Sequence, residues 1–159
     1  MSIQAQLPPG RLAGVDYGRR RIGIAVCDEN RILASPLTVH ETTGDKEVDR
    51  LFFQSLVTNE SIVGFVIGLP IHSDGSDSRM SNEVERFAHW LGETIGLPFV
   101  FQDERYSSRE ATGLLAGVGL TRGKKKKRFD AVAAQVILDS WLESQKAGSA
   151  KAQGLSLDD

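Results

Sequence analysis

Cysteine is almost missing from this chain. Cys27 stands alone, so no disulfide can form within the 159 residues, and a fold that needs none fits a reducing compartment. Cys27 lies in an apolar run and reads as a small buried hydrophobe rather than a nucleophile. Histidine is scarce too. His40, His72 and His89 are scattered and build no zinc-type cluster. No apolar run approaches the roughly 18 residues of a membrane span, and the start lacks the charged-then-apolar pattern of a signal peptide. A cytoplasmic location without a membrane partner is therefore expected. Aromatics make up only 7% of the residues, which points away from recognition by extensive base stacking; Tyr106 is the best candidate for a stacking contact.

Excess charge of one sign is also lacking. The formal net charge is −2, so the whole molecule does not attract polyanions. The distribution says more than the sum. Nine of the 19 basic residues fall in two clusters, Arg19-Arg20-Arg21 and Arg122 through Arg128 without Gly123. A near-neutral total can hide a basic patch.

The chain is long enough for one domain with a real core. Residues 1–10 read as a loose leader, 11–145 as the ordered domain and 146–159 as a disordered tail. Three strand candidates open the domain, at 12–17, 21–27 and 31–35, the last stopped by Pro36, and their spacing suits an antiparallel meander. Helical spacing follows at 45–58, through Val48, Leu51, Phe52 and Leu56. Residues 62–68 are continuously apolar, as in a strand covered on both faces. A helix over 79–95 carries Val84, Phe87, Ala88 and Leu91 on one stripe. A fifth strand spans 98–102, a short helix 107–117, a basic loop 118–128 and a last helix about 129–144. This order predicts an α/β fold: a mixed five-stranded sheet with helices on its faces.

Four acidic residues sit where such a fold gathers function. Asp16 ends the first strand, where a buried carboxylate needs a hydrogen bond, an ion pair or a metal. Asp103 and Glu104 end the fifth strand, and functional groups in open α/β sheets collect beyond strand ends. Strand alternation puts these two on opposite faces, so only one can face a common site. Asp130 opens the last helix. Asp139, nine residues on, lies about half a turn away around that helix and is excluded from the same site. Hard carboxylate oxygens suit Mg²⁺ or Mn²⁺, and two such ions on a phosphodiester could activate water and stabilise the leaving oxygen.

Four segments occur in order: Gly14-Val-Asp16-Tyr-Gly18 with Arg21-Ile-Gly23-Ile-Ala25-Val and Asp28; Val66-Ile-Gly68-Leu-Pro70 with Gly75; Asp103-Glu104-Arg105; and Arg128-Phe-Asp130-Ala-Val-Ala133-Ala134 running into Ile137-Leu138. Together they resemble the YqgF family, also called RuvX, over about residues 13–142. The resemblance implies an RNase H-like fold and a two-metal phosphodiesterase site. Asp16, Glu104 or Asp103, and Asp130 would be its carboxylates. It also implies a role in maturing the 5′ end of pre-16S ribosomal RNA, with the pre-ribosomal particle as a partner. The sequence departs from RuvC-type resolvases at Ala133, where they carry a further Asp, and this argues against junction cleavage. Ser107-Ser108 stand where the family has paired threonines and keep the hydroxyls.

The basic elements fit a nucleic-acid partner. Arg19 and Arg21 can hold phosphates beside Asp16. Arg105 and the run Lys124, Lys125, Lys126, Lys127, Arg128 can steer a polyanion towards the acidic site. RNA is favoured over DNA. The other readings are a Holliday junction resolvase and a non-catalytic nucleic-acid-binding protein, either as a monomer or as a homodimer.

Overall fold

The computed structural model of the protein describes residues 7–70, 79–103 and 130–146. Strands β1 (Arg11–Asp16), β2 (Arg21–Cys27) and β3 (Ala34–Glu41) are followed by helix α1 (Lys46–Glu60), strand β4 (Ile62–Leu69), helix α2 (Arg79–Ile95) and strand β5 (Phe99–Asp103). Helix α3 covers 130–146. The expected helix at 107–117 and the basic loop at 118–128 lie outside the described residues.

The strands form one sheet in the order β3-β2-β1-β4-β5. β1 is antiparallel to β2 and β2 to β3, whereas β4 runs parallel to both β1 and β5. This is the mixed five-stranded RNase H-like sheet that the sequence predicts. Strand alternation divides its side chains between two cores. Val15, Ile24, Phe65 and Ile67 join Phe53 of α1 and Val84, Phe87 and Leu91 of α2. Leu12, Ala25, Cys27, Val66 and Val100 join Ala134, Ile137, Leu138 and Trp141 of α3. The long run in β4 is thus covered on both faces. Cys27 is buried, accepts the Leu12 N–H at 3.3 Å, and has its thiol pushed up by burial, as expected of an inert structural cysteine.

The third strand departs from expectation. Residues 31–33 form a turn, because Asp28 Oδ1 accepts the N–H groups of Ile32 and Leu33 at 2.8 and 2.7 Å. These bonds hold the Asp28 carboxyl below its ordinary range. The strand begins at Ala34 and runs through Pro36 to Glu41. Proline is tolerated there because β3 is the sheet edge and its register with β2 shifts beside Pro36, between Ile24 and Ala25. The α1 stripe is also rotated from the expected one. Phe53 and Leu56 are buried, while Val48 and Leu51 are 43% and 53% exposed. Asp45 caps this helix, accepting from Glu47 N at 3.0 Å. The α2 stripe is the expected one.

Candidate active site

Helix α3 lies unusually close to the sheet, and two glycines make room for it. A Cβ on Gly23 would stand 2.0 Å from the Asp130 carbonyl oxygen, and one on Gly14 would stand 2.7 Å from that of Ala134. Only glycine allows backbone to approach this closely. Gly23 is the register partner of Asp16. The start of α3 therefore rests beside the strand position occupied by Asp16.

Face parity completes the placement. Leu12 and Gly14 contact α3, so Asp16, two residues further, projects from the same face. Asp16 and Asp130, 114 positions apart in sequence, thus share one face and one end of the sheet. Both are partly buried. Arg21 lies on this face as well, with its Nε 2.8 Å from Asp130 Oδ2.

Asp103 is placed differently. It pairs with Leu69, and its alternate neighbours Phe99 and Phe101 pack in the α1/α2 core. Asp103 therefore lies on the face opposite Asp16 and Asp130. The α3 face of β5 carries Val100 and Gln102. Glu104, Arg105 and Lys124, Lys125, Lys126, Lys127 and Arg128 lie outside the described residues. Arg19 does not share the acidic face: its guanidinium bonds Glu83 of α2 at 2.8–3.1 Å. Asp139 accepts from Ala34 N at 3.3 Å, at the opposite end of the sheet from Asp130, so its exclusion from the site agrees with the fold. Its carboxyl is pushed up, first by burial.

The donor set fits a hard divalent cation: two carboxylates on one face, with no thiolate or imidazole beside them among the described residues. Among the described residues, no group of three His, Cys, Asp or Glu side chains is close enough to hold a metal by itself. Ala133 is buried with Val132 and Val136, so the place of a further acid is apolar here. Sequence reasoning missed Gln102, which lies on the acidic face one residue from Asp103. The signal was available, as a polar residue in register with Gly68 on a covered strand face.

Comparison with known proteins agrees with this architecture. A family model described as RuvX, Holliday junction resolvase, matches residues 10–144. A relative from Rhodopirellula baltica, named as a pre-16S rRNA nuclease, is 50% identical over 135 residues, covering 85% of this chain and 78% of its own. One from Maridesulfovibrio salexigens, with the same name, is 38% identical and covers 83% and 97%. Among solved structures, Thermus thermophilus RuvC in complex with a Holliday junction substrate aligns at a TM-score of 0.54 with 14% identity, over 86% of this chain and 96% of its own. The yeast mitochondrial resolvase Ydc2 aligns at 0.51 with 13% identity, over 87% and 80%. These two share the RNase H-like fold. The chain belongs to the RuvX family.

Proposed function

We propose that the protein is a metal-dependent nuclease that hydrolyses phosphodiester bonds in the 5′-end maturation of pre-16S ribosomal RNA. The observation that carries the reading is the convergence of Asp16 and Asp130 on one sheet face, beside Arg21. The names of the relatives supply the substrate. Asp103 lies on the face opposite Asp16 and Asp130, which leaves Glu104 as the third carboxylate of this reading. Asp16, Glu104 and Asp130 would hold Mg²⁺ or Mn²⁺, which when bound supply Lewis-acid activation of water and of the phosphate in a two-metal site.

The remaining roles belong to the protein's own side chains. Arg21 holds the Asp130 carboxylate in place and offers guanidinium N–H donors to a phosphate oxygen. Arg105 and Lys124 through Arg128 neutralise the backbone of the approaching strand. Gly23 lets Asp130 approach the strand that carries Arg21. Such contacts address phosphates rather than base edges, so substrate choice rests on shape.

Junction resolution on DNA is the second reading, favoured by the family description and the shared fold. The two separate in one assay: labelled single-stranded RNA, a precursor-like RNA with a 5′ extension, single-stranded DNA and a four-way DNA junction, each with Mg²⁺ or Mn²⁺. The proposal expects metal-dependent cutting of the RNAs over the junction. Cutting of the junction alone would replace it with the resolvase reading.

A further inference from the structure

The sheet face opposite the acidic residues carries a cleft of about 280 Å³, walled by Tyr17 and Arg19 after β1, Thr42 and Lys46 before and at the start of α1, and Arg86 and Trp90 of α2. Arg19, Thr42 and Gly44 also line a neighbouring groove that includes Arg20 and Arg21. Arg21 in turn bonds Asp130. A continuous path therefore leads from the acidic face, over the arginine turn, into the cleft.

The chemistry along this path suits a polyanion with aromatic rings. Arg19, Arg20, Arg21, Lys46 and Arg86 face three carboxylates, Glu41, Asp49 and Glu83. Glu83 bonds Arg19, and Asp49 bonds His40 Nε2 at 2.7 Å and Thr42 Oγ1 at 2.9 Å. Lys46 and Arg86 are exposed. The Lys46 ammonium stands 4.9 Å from the centre of the Trp90 ring. Its flexible stem lets it swing from the ring to a phosphate, leaving the indole to a base. Tyr17 packs against Phe87 with ring centres 4.7 Å apart and planes tilted by 35°, which fixes it as part of the wall. Positive grooves with aromatic platforms are how proteins hold single strands without reading sequence.

We propose that this cleft is a subsite for one nucleotide of a single-stranded nucleic acid, reached over the Arg19-Arg20-Arg21 turn while another part of the strand lies on the acidic face. The proposal rests on the nuclease reading of that face, but its test does not use cleavage. Trp90 and Trp141 are the only tryptophans, so a Trp141→Phe protein reports on Trp90 alone. It is titrated in chelator with a ten-nucleotide oligouridylate, with a blunt RNA duplex and with uridine monophosphate, while anisotropy of a labelled oligouridylate measures binding independently.

The expected result is saturable quenching of Trp90 by the single strand, with clearly weaker effects from the duplex and the mononucleotide. Lys46→Ala with Arg86→Ala, two exposed positions, weakens strand binding at least about fivefold and makes the remaining affinity fall less steeply with salt, because fewer phosphate contacts remain. Oligonucleotide binding that saturates without a Trp90 change overturns the proposal, as does unchanged affinity in the double variant or failure to bind at all. Equal affinity for the mononucleotide replaces the strand path with a separate nucleotide site. The cleavage assay decides the nuclease reading on its own: RNA cutting with a silent Trp90 sinks only the cleft, whereas quenching without cutting sinks only the nuclease.

Discussion

Arg21 and Asp130 meet at 2.8 Å across the interface between β2 and α3, with side chains 32% and 20% exposed. A partly exposed pair of this kind contributes about 1 kcal/mol or less to stability, so its removal is expected to alter chemistry more than folding. Arg21→Gln should lower the melting temperature slightly and reduce the cleavage rate at least about tenfold. Half-saturation should shift to lower Mg²⁺, because a cation beside the carboxylates is gone. A metal titration of the cleavage rate checks both effects.

Gly23 has a sharper requirement. The Asp130 carbonyl carbon and oxygen would lie 2.5 and 2.0 Å from a Cβ at this position. Backbone cannot yield as a flexible side chain can, so Gly23→Ala must lift the start of α3. The expected cost is about 1–3 kcal/mol, read by urea denaturation. In the protein that remains folded, cleavage should fall further than in Gly14→Ala, which crowds Ala134 and Leu138 one turn beyond the site.

Phe53 tests the opposite core. Its side chain is fully buried, and its ring meets those of His40, Phe52, Phe65 and Phe87. Phe53→Ala should cost about 3–5 kcal/mol. Metal binding per folded molecule should stay unchanged, because α3 and the acidic face lie across the sheet. Calorimetric Mg²⁺ titration of the folded fraction measures this.

Asp139 sets a pH dependence. Burial raises its folded carboxyl above the usual value of 3.8. The folded state therefore holds this proton more tightly than the unfolded chain. The resulting stability is full below that value and is lost as pH rises through the raised folded one. Asp139→Asn keeps an oxygen to accept the Ala34 N–H and removes the charge. It should melt higher than wild type at pH 7, with the difference shrinking as the pH approaches 3.8 and below. A melting series across pH shows whether it does.

The parts of this fold legible from sequence were those governed by local period. The apolar run in β4, the stripe of Val84, Phe87, Ala88 and Leu91, and the succession of elements from β1 to β5 follow from side-chain alternation and helical spacing. The β3 start did not, because Asp28 draws Ile32 and Leu33 into a turn that periodicity cannot sense. Pro36 looked like a terminator because its place at a sheet edge is a tertiary fact. For the site, Asp16, Asp130 and Arg21 were nameable beforehand. Alternation could not say which face of β5 holds α3, so the placement of Asp103 away from Asp16 and Asp130 was not legible. Arg19 was grouped with Arg21 by sequence, yet the turn sends it to Glu83 on the other side of the sheet. The cleft beside Trp90 draws on three separated segments and left no linear signature.

The most direct test is cleavage of a 5′-extended RNA by wild type, Asp16→Asn and Asp130→Asn, with Mg²⁺, with Mn²⁺ and with chelator. Both substitutions are nearly isosteric and remove one charge from the shared face. Metal-dependent cutting by wild type, abolished by chelator and reduced at least about a hundredfold in each folded variant, is the predicted result. Cutting at the wild-type rate by either variant, with unchanged metal dependence, would contradict the assignment of this acidic face as the active site.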